Sequence, residues 1–146
     1  MKKLLFIISA AMLLVSCGNK NDDKGKLTLE DQLSEEWHSV SLTVDGDIYL
    51  KFESLDKTFE LYQQIGAGAH RLYRGTWNLE GQILTGRYND GEDWSTAYTI
   101  VISGNTLTMT SNNDAAEESI FETCEIPAEI KETCETIVRS APCLAY

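Results

Sequence analysis

The amino-acid sequence predicts an all-β domain of about eight antiparallel strands, closed into an up-and-down barrel and followed by one C-terminal α-helix. Turn signals such as Asp-Gly and Gly-Asn recur about every ten residues from Trp37 onward. The segments between these turns alternate apolar and polar residues, so each strand has one face to bury. Consecutive hairpins without a long crossover favour an up-and-down barrel, because closure removes exposed edge strands.

The centre of the predicted barrel is a pair of strands in which large aromatic residues alternate with glycines. The two segments are Tyr73–Trp77 and Leu84–Tyr88, and Gly75 and Gly86 share a face with the aromatic residues. Glycines at these positions leave room for aromatic rings from facing strands, which predicts an aromatic interior. A last, less regular strand is indicated by Ile120, Phe121 and Ile126. The other predicted apolar faces are Val40, Leu42 and Val44; Ile48, Leu50 and Phe52; Phe59 and Leu61; Trp94, Tyr98, Ile100 and Ile102; and Leu107 and Met109.

Helical signals occur at both ends of the strand-rich region. The leucine-containing stretch Leu27–Ser34 predicts a short helical turn, capped by Asp31 or Ser34. A second helix is expected to begin at Pro127 and to end before Pro142, since proline suits the first turn of a helix and stops its continuation. Its apolar stripe, at spacings i, i+4 and i+7, predicts packing against the outside of the barrel; the stripe consists of Ile130, Cys134 and Ile137.

The first residues are typical of a bacterial lipoprotein signal peptide. Lys2 and Lys3 precede an apolar stretch that is too short for a confident membrane span. The following Leu14–Cys17 resembles a lipobox, which implies cleavage before Cys17 and acylation of that residue. The alternative is an ordinary secretory signal with a chance cysteine. We therefore expect a signal peptide at 1–16, a lipidated cysteine and flexible tether at 17–26, and a folded domain at 27–146.

The predicted location is the bacterial outer membrane, with the lipid-anchored domain facing the periplasm or the cell surface. The segment 18–26 has no apolar residue, which is typical of a disordered tether. Within it, a lysine followed by Asp22-Asp23 resembles the acidic export tag of surface lipoproteins in Bacteroidetes. That resemblance implies surface display, and a domain that faces the periplasm is the alternative.

The charge balance argues against nucleic acid as a partner. The chain has 12 basic and 23 acidic residues, for a net charge of −11. Removal of the signal peptide takes away Lys2 and Lys3 and leaves 10 basic residues, for a net charge of −13. Such a surface repels phosphate backbones. It would tolerate a cationic partner, although a solvated acidic surface is the simpler interpretation.

As a set, these motifs resemble the lipocalin-like lipoproteins of Bacteroidetes. The resemblance implies a ligand-binding barrel whose base is closed by the tryptophan of the first strand. The chain departs from lipocalins proper in having Glu35-Glu36 before that tryptophan and Glu122 and Cys124 where a late basic residue is expected. The similar positions are Trp37, Tyr73–Trp77, Leu84–Tyr88, Asp90-Gly91, Trp94, Gly104–Leu107 and Ile126-Pro127.

No residue pattern in the sequence indicates catalysis, a metal or a cofactor. His38 and His70 lack clustered partners, and the acidic turns lack the spacing of a calcium loop. The three cysteines after the tether allow at most one intramolecular disulfide, between Cys124 and Cys134 or between Cys134 and Cys143. We therefore expect a protein that is not an enzyme.

The expected function is binding of a small apolar or amphipathic molecule in a barrel cavity. Aromatic rings would stack on an apolar or sugar ligand, and Arg71 would meet an anionic head group. The alternative within the barrel is that these rings only fill the core. The alternative function is a protein-interaction or inhibitor module that uses the loops at the barrel end. The candidate ligand-binding residues are Arg71, Tyr73, Trp77, Tyr88, Trp94 and Tyr98.

Overall fold

The computed structural model describes residues 27–42 and 45–137. It confirms the predicted antiparallel up-and-down barrel: each of eight strands pairs with its neighbours in the chain, β1 pairs with β8, and the ring is closed. A ninth, two-residue strand runs parallel to the start of β4. The strands are β1 Glu36–Ser41, β2 Gly46–Glu53, β3 Thr58–Ile65, β4 Arg71–Glu80, β5 Ile83–Tyr88, β6 Tyr98–Ser103, β7 Thr106–Ser111, β8 Glu118–Thr123 and β9 Glu135–Thr136.

A short helix, α1 (Leu29–Leu33), precedes β1 at the barrel end that we call the base. The predicted helical turn is confirmed, and both predicted residues take part in its caps, although the N-cap itself is Thr28. Thr28 and Asp31 form a reciprocal capping box, because Asp31 is the third helical residue and reaches back to the cap. Hydrogen bonds from the Thr28 hydroxyl and backbone amide lower the pKa of Asp31. Ser34 lies at the other end of the helix, as its C-cap.

The core fills the barrel from this base upward. Leu33 is fully buried, and its carbonyl oxygen accepts a hydrogen bond of 3.0 Å from the Trp37 indole nitrogen. This contact closes the base. The interior positions above it are occupied by packed side chains, each exposed by 6% or less: Ile48, Leu50, Phe52, Phe59, Leu61, Tyr73, Trp77, Leu84, Tyr88, Tyr98, Ile100, Leu107, Met109 and Phe121.

The two interior glycines make room for aromatic rings, as the sequence predicted. A Cβ on Gly75 would lie 2.7 Å from the Phe59 ring and 2.0 Å from the Arg87 carbonyl oxygen. A Cβ on Gly86 would lie 2.2 Å from the Trp94 ring. Real Cβ atoms do not approach other atoms this closely, so both positions require glycine.

The predicted inward face of β1 is wrong for Val40, which is 52% exposed. The pairing of β1 with β8 shifts between Ser39 and Ser41, which is a β-bulge. Trp37 is inward before the bulge, and Leu42 packs against the core after it. One extra residue reverses the alternation, which turns Val40 outward. Val44 lies outside the described residues.

The predicted strand containing Trp94 begins later, at Tyr98. After the turn at residues 89–91, Asp93 forms an isolated bridge with Arg87, and the Trp94 amide donates to the Gly86 carbonyl. The chain then bends through residues 95–97 before β6. Trp94 therefore reaches the core from a connecting segment, not from a strand of the barrel.

The second helix, α2 (Ala128–Thr133), packs on the outside of the barrel as predicted, but it is shorter than expected. Ile130 is buried there against Leu72, Tyr62 and Ile126. Cys134 ends the helix, because the following amides bond along the start of β4: Glu135 donates to the carbonyl of His70, just before the strand, and Ile137 donates to Leu72 O. Pro142 lies outside the described residues. No helix in the described part of the chain is long and apolar enough to span a membrane.

Candidate functional site

The barrel end opposite α1, which we call the mouth, differs from the base in the polarity of its inward-facing side chains. Gln63 continues the inward face of Phe59 and Leu61 toward the mouth, and it is only 4% exposed. Ser111 and Ser119 occupy the corresponding positions on β7 and β8 and are also buried. The interior is therefore apolar toward the base and polar toward the mouth.

A cavity of about 390 Å³ opens at the mouth beside β3 and β4. This size is within the usual range for small-molecule sites. The cavity combines charged and polar side chains from the strands with small residues from the loop between them. Its lining consists of Gln63, Ile65, Ala67, Gly68, Ala69, Arg71, Tyr73 and Glu135.

Gln63, Arg71 and Tyr73 form one group of hydrogen-bond donors in this lining. Gln63 and Arg71 are direct partners in the β3–β4 pairing, and Tyr73 follows Arg71 on the same face of β4. The Gln63 amide and the Tyr73 hydroxyl make no hydrogen bond with another described residue, although both residues are buried. Their polar atoms are not among the buried atoms that lack a partner, so they reach the cavity and are available to a molecule in it.

Arg71 is distinguished by its lack of an acidic partner. The other basic side chains of the described residues, Lys51, Lys57, Arg74, Arg87 and Lys131, all lie within 4.0 Å of a carboxylate. Arg71 has no such contact within the described part of the chain, and it is exposed at the cavity. It offers a guanidinium fork suited to an anion.

The opposite side of the mouth contains a buried polar atom that lacks a hydrogen-bond partner. Glu117 precedes β8, and its Oε2 atom is buried without a hydrogen-bond partner in the described structure. The Glu117 amide donates to the Ser111 hydroxyl at 2.8 Å. Such groups are costly to bury, and they concentrate where a protein gives up stability for function.

The loop 66–70, which forms one wall of the cavity, is held by a histidine–aspartate–histidine cluster. His38 Nε2 lies 2.6 Å from Asp47 Oδ1, and His70 Nε2 lies 2.9 Å from Asp47 Oδ2. The ring of Tyr49 stacks on His38 with centroids 4.3 Å apart. The cluster ties the end of the loop to β1 and β2. Because Gly66 and Gly68 adopt positive φ angles of 71° and 132°, the loop follows a path that other residues rarely take.

This cluster joins the two histidines that the sequence left apart, since nothing in their spacing indicates a shared carboxylate. The described residues contain no group of three or more histidine, cysteine, aspartate or glutamate side chains arranged to hold a metal ion. The contacts of Asp47 with His38 and His70 hold the end of the loop 66–70 against β1 and β2.

The six predicted ligand-binding residues do not form one site. Arg71 and Tyr73 line the mouth cavity. Trp77 lies toward the base, where its indole nitrogen donates to the Glu53 and Thr58 carbonyls at 3.2 and 3.0 Å. Its ring is also covered by the Lys57 ammonium, 4.5 Å from the ring centroid.

The other three belong to an aromatic row that packs the barrel interior. Tyr73 contacts Tyr88, Tyr88 contacts Phe59, and the row continues through Trp94 to Tyr98, with centroids 5.1–6.3 Å apart. Edge-to-face contacts of this kind stabilise a core. Tyr88 and Tyr98 are 6% and 4% exposed, so neither presents a free face to a ligand.

Trp77 and Trp94 also line a groove of about 500 Å³ on the side of the barrel, next to residues 95–97. The charges in this groove are already neutralised, because Arg87 donates to both carboxylate oxygens of Asp93 at 2.7 and 3.3 Å. This pairing lowers the pKa of Asp93 and raises that of Arg87. The Trp94 indole nitrogen is buried without an acceptor among the described residues, so a ligand in the groove does not reach it.

Two cysteines, Cys124 and Cys134, lie among the described residues. Cys124 and Cys134 carry free thiols in the structure and pack against the outer cluster under α2. Burial, together with the nearby Glu36 carboxylate, raises the pKa of the Cys124 thiol and so disfavours the reactive thiolate. Cys143 and the predicted lipidation site Cys17 lie outside the described residues, and the disulfide and lipidation assignments stay predictions.

Sequence reasoning missed Gln63, although a signal was present. Gln63 continues the parity of Phe59 and Leu61 and is thus a polar residue at a core position. Such violations of the binary pattern tend to occur at functional sites.

Comparison with known proteins identifies the family of the chain. A family model described as a lipocalin-like domain matches residues 18–109, which is more than half of the chain. The match ends within β7, so β8 and α2 lie beyond it. No curated protein and no solved structure matches the chain.

Proposed function

Because the chain belongs to the lipocalin-like domain family, we propose that it is a non-enzymatic binding protein that holds a small amphipathic molecule at the mouth of its barrel. The observation that carries this proposal is the mouth cavity, where the buried Gln63 and Tyr73 have unpaired polar atoms. A barrel whose interior serves stability alone does not need such groups at one end.

The proposed binding mode is shallower than a ligand enclosed in the barrel. Below Tyr73 the interior positions are filled by Phe59, Leu61 and the other core side chains. A ligand would therefore place its polar end among Gln63, Arg71 and Tyr73 and a short apolar part against Ile65 and the loop 66–70. Neutral sugars are a weaker candidate here, because the cavity includes an unpaired cation.

The proposal also places the protein in the cell envelope, anchored through acyl chains on Cys17 to the outer membrane. Its support is the lipobox-like Leu14–Cys17 after a basic and then apolar segment. Labelled palmitate should be incorporated into the wild-type protein but not into Cys17→Ala. A wild-type protein without label would overturn the anchoring proposal. Protease treatment of intact cells would then distinguish surface from periplasmic exposure.

The alternative of a protein-interaction module has less support. It requires an exposed aromatic patch at the loop end of the barrel together with a filled interior. The interior is filled by packed side chains, which meets the second condition. The exposed large apolar side chains of the described residues are all aliphatic and lie at both ends and on the sides: Leu27, Val40, Leu55, Ile65, Ile83 and Val101. They form no aromatic binding surface at the mouth.

Native mass spectrometry of the protein purified from the cells that make it tests the binding proposal. We expect an added mass that is lost on denaturation. The double variant Gln63→Leu/Arg71→Gln should lose it, whereas Ile83→Ala, which alters an exposed residue at the base, should retain it. A wild-type protein without added mass, and without uptake from a cell extract, would contradict the proposal.

A further inference from the structure

We propose that the ligand of the mouth is a small organic monoanion whose carboxylate is bound by Arg71. This inference rests on the proposed function, because it names the class of molecule that the same cavity takes. It concerns the polar lining contributed by β3 and β4, opposite the side that contains Glu117.

The first argument is the distribution of positive charge. The chain has a net charge of −11, so its acidic residues greatly outnumber the basic ones. Each of the other described basic side chains is within 4.0 Å of a carboxylate. Among the described arginines and lysines, only Arg71 lacks such a contact. An arginine left unpaired in so acidic a protein is a binding group for an external anion.

The second argument is that neutral donors surround the guanidinium. Gln63 faces Arg71 across the β3–β4 pairing, and directly paired residues in a sheet have Cβ atoms about 5 Å apart. Tyr73 is two residues further along the inward face of β4. A carboxylate on Arg71 would thus also be within reach of an amide N–H and a phenolic O–H.

The third argument concerns the size of the ligand and its number of charges. The cavity has a volume of about 390 Å³, and the packed core limits its depth. Glu135 lies opposite Arg71 in the parallel pairing of β9 with β4, and it also lines the cavity. Its carboxylate makes no ion pair with Arg71, but it repels additional negative charge. The site therefore favours one negative charge on a short apolar chain over a multiply charged anion such as phosphate.

The test is an NMR titration of the full chain with hexanoate and, separately, with hexanamide, which has the same chain but no charge. The reporters are the Gln63 side-chain amide and the backbone amides of residues 66–70. We expect both compounds to shift these signals, with hexanoate binding about tenfold more tightly, as is typical of a charge-assisted hydrogen bond.

Substitutions at Arg71 assign the preference to its guanidinium. Arg71→Gln should bring the two affinities to within about twofold, and Arg71→Lys should retain part of the preference because it keeps the charge but not the fork. Arg87→Gln is the matched control, since it removes the same charge from the side of the barrel. Glu135→Gln should tighten hexanoate binding and leave hexanamide binding unchanged.

The outcomes separate this inference from the proposed function. Equal affinities for hexanoate and hexanamide in the wild type would overturn the anion assignment and leave a small-molecule site at the mouth. A preference that survives Arg71→Gln would also overturn it. If neither compound shifts the mouth signals and no other compound binds there, the proposed function fails together with the inference.

Discussion

The two ends of the barrel use the same strands in opposite ways. At the base, the Trp37 indole donates to Leu33 O, and Trp77 donates to two carbonyls. Lys57 pairs with Glu30 of α1. At the mouth, Gln63 and Arg71 lack such partners.

This difference assigns the stabilising hydrogen bonds to the base of the barrel and the groups available for binding to its mouth. Polar groups that are satisfied inside the protein fix a unique structure, whereas unsatisfied ones reduce stability until a ligand meets them. The base is therefore expected to tolerate little change. The mouth is expected to tolerate, or even gain from, apolar substitution, at the cost of binding.

The largest effect should come from Trp37 at the base. Trp37→Ala removes a large side chain from the closed end and should lower the free energy of unfolding by about 3–5 kcal/mol. Urea denaturation measures the change. Trp37→Phe should cost less, since it removes mainly the hydrogen bond to Leu33. A loss below about 1 kcal/mol for the alanine variant would show that the base is not the anchor of the fold.

A smaller loss of stability is expected at Gly86, where the absence of a side chain leaves room for the Trp94 ring. Gly86→Ala places a methyl group in the space of the Trp94 ring and should cost about 1–3 kcal/mol in the same assay. Thr85→Ala, at the exposed neighbouring position, is the control and should change stability little. In the double variant Gly86→Ala/Trp94→Ala, the loss of stability should be smaller than the sum of the losses in the two single variants. Simple additivity would mean that the methyl group and the ring do not compete.

At the mouth, Gln63→Leu should change the free energy of unfolding in the opposite direction. It replaces an amide that makes no hydrogen bond within the described structure with an apolar side chain of similar size, so stability should be unchanged or rise by up to about 1 kcal/mol. Ligand binding should fall at the same time. A destabilisation of more than about 2 kcal/mol would instead show that the Gln63 amide supports the fold.

The smallest effect is a local one, where α2 is fastened to the outside of the barrel. The Glu36 carboxylate accepts hydrogen bonds from the Ile126 amide at 2.7 Å and from Lys131 Nζ at 2.9 Å. Partial burial raises the pKa of Glu36, but these hydrogen bonds outweigh it and hold that pKa below its ordinary value of 4.5. The attachment is therefore fully present above pH 4.5 and is lost as the pH falls through the lowered value.

Hydrogen exchange at the Ile126 amide, corrected for intrinsic rates, measures this attachment. Protection should decrease below pH 4.5 in the wild type. In Glu36→Gln, whose side chain does not titrate in this range, protection should be independent of pH. Equal pH dependence in the two proteins would assign the acid sensitivity to another group.

The sequence was sufficient for the barrel but not for its local irregularities. Regular turns and alternating strands determine the topology, and Gly75 and Gly86 indicate the packed rings. The alternation Ser39-Val40-Ser41 suggested the wrong inward residue, because the β-bulge depends on the partner strand β8. The second helix was predicted too long, since its end is set by hydrogen bonds to β4, a distant part of the chain.

The candidate site was predictable only in part. The shared parity of Arg71 and Tyr73 on β4 predicts that they face the same side, and both line the mouth cavity. The role of Gln63 depends on the register that pairs it with Arg71. The convergence of His38 and His70 on Asp47 depends on three elements meeting in space, which no local pattern records.

The most direct test of the central claim is to determine which side chains of the barrel contact a bound molecule. Nuclear Overhauser contacts between the protein and a compound that co-purifies with it, or hexanoate, would locate it. The account predicts contacts with the ring of Tyr73 and with the loop 66–70, and none with Phe121 or Trp37. Contacts with those deep side chains, or a protein that takes up no compound at all, would contradict the account.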